Sequence, residues 1–145
     1  MRKAYLFLSL LFLLTSSAWG ADSYEEERRT LEEMTKVMES YIVALESSDA
    51  VEAMVKAIND LAQRLEALIP KMSEMAEKHP DWGDKPPLEL QKTMERYVEV
   101  AKKFFAESLQ KTVQFANKFQ DDQPLQEAFG KLNLVMSQMG GRSSQ

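Results

Sequence analysis

Cysteine is absent from all 145 residues. Its absence excludes disulfides, thiolate metal sites, a haem attached through thioethers and a lipid on a cleavage-site cysteine. Glycine is scarce, five in all, one of them Gly20, and no stretch alternates apolar with polar residues. Hairpins and sheets therefore have neither turns nor faces to build from. Histidine occurs once, at position 79. A lone imidazole cannot supply an HExxH site or the two Glu-x-x-His motifs of a di-metal carboxylate bundle, and no phosphate-binding loop is present. No nucleophile stands beside a base, so the sequence reads as that of a protein that is not an enzyme.

Positive charge is also in short supply. The chain carries 18 Lys and Arg against 23 Asp and Glu. Nucleic acid and anionic lipid both need a basic footprint, so neither is expected as a partner. Long apolar runs are limited to one, Ala4 to Leu14, broken only by Ser9. It is shorter than the roughly 20 residues that span a bilayer. Arg2 and Lys3 precede it and Ala18-Trp19-Gly20 follows, with small residues where a signal peptidase reads. Residues 1–20 are therefore expected to be a signal peptide cut before Ala21, giving a periplasmic or secreted protein with no membrane segment after cleavage. Loss of Arg2 and Lys3 lowers the net charge from −5 by two, to −7.

What remains is helical in its periodicity. Leu31, Met34, Met38, Tyr41 or Ile42 and Leu45 recur at steps of three and four, behind Glu25 to Glu27, which suit a helix N-terminus. Asp49, with Glu52 three residues on, reads as a capping box for a second helix. That helix carries Val51, Met54 or Val55, Ile58, Leu61, Leu65, Leu68, Met72 and Met75 on one face, and Pro70 is expected to bend it. Lys78 and His79 fall in its last turn, and Pro80 disfavours helical geometry at His79. Pro87 suits the first turn of a third helix, which carries Met94, Tyr97 or Val98, Ala101, Phe104 or Phe105, Thr112, Phe115 and Phe119 and ends near Gln120. Asp121, Asp122 and Pro124 announce a fourth, with Leu125, Phe129, Leu132, Val135 or Met136 and Met139 inward. The four phenylalanines of the third helix read as core, and Phe115, Phe119 and Phe129 are expected to close one end.

Short loops joining four helices predict an all-α, up-down-up-down antiparallel four-helix bundle over residues 21–139, with a short fourth helix and a disordered tail at 140–145. At 1.5 Å per residue the second and third helices overhang the fourth by about 20 Å, at the end bearing His79. Met72, Met75 and Met94 gather at that end, whereas Met34 lies near mid-bundle. Methionine is an adaptable gap-filler, so ordinary packing accounts for most of these residues. A neutral imidazole with thioethers is nevertheless also a soft ligand set suited to Cu(I). Met72, Met75, Met94 and His79 are accordingly the candidate metal ligands.

Signal peptide, acidic helical domain, methionine in the first helix, proline near the end of the second and a proline-bearing central loop together resemble the periplasmic b-type four-helix cytochromes. That resemblance implies non-covalent haem b and electron transfer, with Met34 matching the family's first-helix ligand. The fourth helix here has no histidine; Met136 and Met139 stand near that place, and His79 is the imidazole available. Met34 and His79 are thus the cofactor-binding candidates. Beside this carrier reading stands a non-enzymatic binding module, in which the overhanging ends of helices two and three receive a protein partner or a second copy of the chain.

Overall fold

The computed structural model describes residues 24–140. The expected signal segment, residues 1–20, and the residues after Gly140 lie outside them. Helix α1 spans Glu25–Ser47 and α2 spans Val51–Lys78. A 3-10 turn at Pro80–Gly83 and another at Leu88–Leu90 lead to α3, Gln91–Lys103. A π-helical turn, Phe104–Ser108, joins α3 directly to α4, Leu109–Lys118, so that the three pieces form one rod. Helix α5, Gln123–Gly140, completes the fold. Among the described residues there is no strand. The third helix of the sequence reading is therefore present but interrupted, and its first turn begins after the 3-10 turn at Leu88–Leu90, not at Pro87.

Start and stop chemistry explains most boundaries. Asp122 accepts the Leu125 amide through Oδ1 at 2.9 Å and so caps α5. The capping box expected for α2 does not form: Ala50 occupies the cap position, and no side chain bonds there. Pro70 sits on the exposed side of α2, where the helix runs on through it. At the far end the His79 amide still donates to the Met75 carbonyl at 3.0 Å. Pro80 then turns the chain away.

Helix α1 lies between two neighbours. It runs antiparallel to α2, with Glu27 and Thr30 beside Met75 and Lys78, and Tyr41 and Ala44 beside Ala57 and Leu61. It runs parallel to α3: Arg28 donates to the Glu89 carbonyl, Arg96 pairs with Glu39, and Lys103 Nζ lies 3.1 Å from Glu46. Helix α5 packs along α2 and touches the third rod chiefly through α4, near the turn that joins α4 to α5. The third rod thus has α1, not α2, as its main partner. The 12 residues from His79 to Leu90 carry the chain across that end of the molecule.

The core is the seam common to these contacts. Met34, Met38, Tyr41, Met54, Ile58, Leu65, Phe104, Leu125 and Leu132 are all but sealed from solvent. Tyr41 packs edge-on to Phe104 and its hydroxyl meets Thr112, where the rod's backbone widens into the π turn. Phe115, Phe119 and Phe129 are only half-buried, so Phe104 is the ring that fills the interior. Phe105, expected as core, is 45% exposed. Successive residues on a helix are about 100° apart, and the rod can bury only one of the two rings.

Candidate functional site

The two regions singled out by sequence have different surroundings. At the end of α2, the Pro80–Gly83 turn folds back so that the Trp82 amide donates to the His79 carbonyl at 3.2 Å. This lays the indole flat on the imidazole, with ring centroids 3.6 Å apart and planes 5° from parallel. Tyr24 meets the indole edge-on, with ring centroids 5.4 Å apart. His79 Nε2 lies 3.3 Å from Glu27 Oε1 across the α1–α2 seam, and both side chains are mostly covered, at 28% and 19% exposed. His79 is thus a helix terminator that also fastens the loop to α1. The overhanging end of α2 is not a bare groove, because the first turns of α1 and this aromatic stack cover it.

The candidate methionines have different surroundings. Met34, 1% exposed, is inside the core. It lies seven residues beyond Glu27 on α1, about 10 Å along the axis from His79's carboxylate partner. A haem held between Met34 and His79 does not fit this arrangement: one ligand is sealed among packed side chains, and the other faces a carboxylate with its ring covered by Trp82. Met72 packs against the core cluster. Met75 instead lines a narrow cleft with Glu26, Glu27, Thr30, Lys71 and Lys78, and Met94 is half-buried on the third rod. The three thioethers thus stand in three settings. Among the described residues, no group of three His, Asp or Glu side chains could hold a metal ion.

The third rod supplies what sequence reasoning assigned elsewhere. Leu88, Val98, Phe105 and Val113 are 79%, 41%, 45% and 43% exposed. Half-buried Met94, Ala101 and Leu109 fall between them. Met94, Val98, Ala101 and Phe105 are spaced by four, three and four residues, the spacing of a coiled-coil seam. An uninterrupted α-helix would carry Val113 about 100° away from the line of Met94 and Phe105. The π turn at Phe104–Ser108 accommodates one extra residue and brings Leu109 and Val113 back into line.

The flank of the rod that meets α1 is of another kind. There a shallow groove against α1 is lined by Glu39, Glu46, Arg96, Glu99, Lys102 and Lys103 around Ile42 and Val100. Its charges are largely spent on the Arg96–Glu39 and Lys103–Glu46 pairs. The apolar line was visible in the sequence only as an excess: α3 carries more apolar positions than one buried face needs, and the choices between Tyr97 and Val98 and between Phe104 and Phe105 marked two faces. No protein-family model, no curated protein and no solved structure matches the chain.

Proposed function

We propose that this chain is an exported, non-enzymatic helical module whose work is to bind protein, and that the contact face is the apolar line of the third rod. The observation that carries the reading is the alignment of Leu88, Val98, Phe105 and Val113 on one side of a rod whose other side already fills the core. Surface hydrophobics scattered singly are ordinary, whereas a contiguous apolar strip marks an interaction site. In this reading residues 1–20 direct export to the periplasm or beyond and are removed before Ala21, and the chain runs up-down-up-down with its central connection crossing one end. Support for that course comes from the antiparallel seam of α1 with α2 and the parallel ion pairs of α1 with α3.

A photo-crosslinking residue placed at position 105 of the full chain in exporting cells tests the surface. Covalent protein adducts are expected there and not with the same residue at Glu66, on the exposed face of α2. Equal labelling at both positions, or none at 105, overturns the proposal. The intact mass of the exported chain checks the address, with Ala21 as the expected first residue.

A further inference from the structure

We infer that the occupant of this face is a second copy of the chain, docked antiparallel about a two-fold axis that passes between Glu99 and Val100. The inference rests on the binding role just proposed and names its partner.

A two-fold interface must be complementary to itself, with each residue meeting its counterpart's counterpart. The apolar line has this property in the antiparallel sense. Rotation about a point between Glu99 and Val100 sets Met94 against Phe105 of the second copy and Val98 against Ala101, with both contacts repeated by symmetry. Each layer pairs one larger side chain with a smaller or more adaptable one, as interdigitation requires. The same rotation brings Leu88 to within about one residue of Val113 of the second copy, because the π turn has kept Val113 on the line. All four apolar side chains most exposed on the rod and its approach are used, and none is left over.

Charge supports the same pairing. The side of the line that faces away from the core carries Glu95 and Lys102, both exposed and seven residues apart, each directly following a seam position, Met94 or Ala101. In the antiparallel arrangement Glu95 of one copy comes within reach of Lys102 of the other, twice over. A parallel arrangement would stack Phe105 on Phe105 and Ala101 on Ala101 and would place Glu95 level with Glu95, so it lacks both the packing and the charge match.

Sedimentation of the mature chain, from low micromolar to near-millimolar concentration, should show a reversible monomer–dimer equilibrium. Phe105→Glu, on a half-exposed ring, should leave the helical circular dichroism intact and give monomer throughout. Glu95→Lys and Lys102→Glu should each weaken the dimer about tenfold, since each substitution alters two symmetry-related pairs. The doubly swapped variant should recover the original affinity. Because the chain has no cysteine, orientation can be read directly: Leu88→Cys mixed with Val113→Cys should form the mixed disulfide dimer in preference to either like pair.

Monomer at every concentration, a dimer indifferent to Phe105→Glu, or preferential 88–88 bridging overturns the inference. Adducts to a different protein at position 105, with a chain that stays monomeric alone, would overturn the second-copy inference while leaving the binding role standing.

Discussion

Thr112 has one hydroxyl proton and gives it to the Ser108 carbonyl, 2.8 Å away. The buried contact with Tyr41 is therefore made by the tyrosine donating and the threonine accepting. The two substitutions at this contact differ in consequence. Tyr41→Phe removes a donor and leaves the threonine hydroxyl bonded to Ser108, at a cost of about 1 kcal/mol. Thr112→Val leaves the Tyr41 hydroxyl buried with no acceptor and should cost more, about 1–3 kcal/mol, by urea unfolding. The reverse order would show that the hydroxyl finds another partner. Burial also holds the Tyr41 phenol above its ordinary value of 10.0, and burial raises Tyr97 likewise. A raised folded-state pKa contributes stability that is whole below the unfolded value and is lost as pH rises toward the folded one. Unfolding free energy should accordingly fall as pH climbs above about 10, and less steeply in Tyr41→Phe; an identical slope in the two proteins would remove Tyr41 from the effect.

The helices themselves were legible because each writes its inward face at steps of three and four residues, and because Pro80 and Asp122 punctuate two of the turns. α1, α2 and α5 fall within a residue or two of where those signals put them. The π turn was not legible. Phe104, Phe105, Ser108, Leu109, Thr112 and Val113 fit an unbroken helix if one face is taken as core and the surplus ignored. Only the depth of Phe104 and Thr112 beside Tyr41, with Phe105 outside, shows that the rod changes register. Nor could the sequence give the seating of α1 on α2 that brings Glu27 to His79 across 52 positions, since contacts between helices carry no local period. If the turn is an inserted residue, deletion of Ala106, which is exposed within it, should straighten the rod while both halves keep their faces. Stability should then change by no more than about 1 kcal/mol. Deletion of the equally exposed Glu66 has no such relief and would swing Leu68, Ile69 and Met72 about 100° out of the core. No cooperative unfolding transition is expected from that chain. Equal damage from both deletions would mean the π turn is not a register device.

At the scale of the molecule, contacts are unevenly shared, and local stability should follow them. Helix α1 is flanked by α2 and the third rod, and α2 by α1 and α5; between them these two helices bury most of the core, from Leu31 and Met34 to Leu65 and Ile69. Helix α4 buries only Thr112 and Ala116. Its contacts with other helices are concentrated at Tyr41 and at the turn into α5, where the Gln126 side chain donates to the Ala116 and Phe119 carbonyls at 2.9 and 3.2 Å. Segments with few buried contacts open locally below the free energy of global unfolding. In native-state hydrogen exchange the mid-helix amides of α1 and α2 should therefore exchange only through global unfolding, with a steep dependence on denaturant. Amides of α4 should exchange sooner and nearly independently of denaturant. The dimer adds a second expectation, because Leu109 and Val113 lie on the face that a second copy would cover. A ligand that binds only the native state stabilises it by mass action, so protection in α4 should rise with protein concentration in the parent chain and stay flat in Phe105→Glu. Uniform protection across all four rods would show a molecule that opens as a single unit. Protection in α4 that does not move with concentration would leave the apolar line uncovered by its own kind.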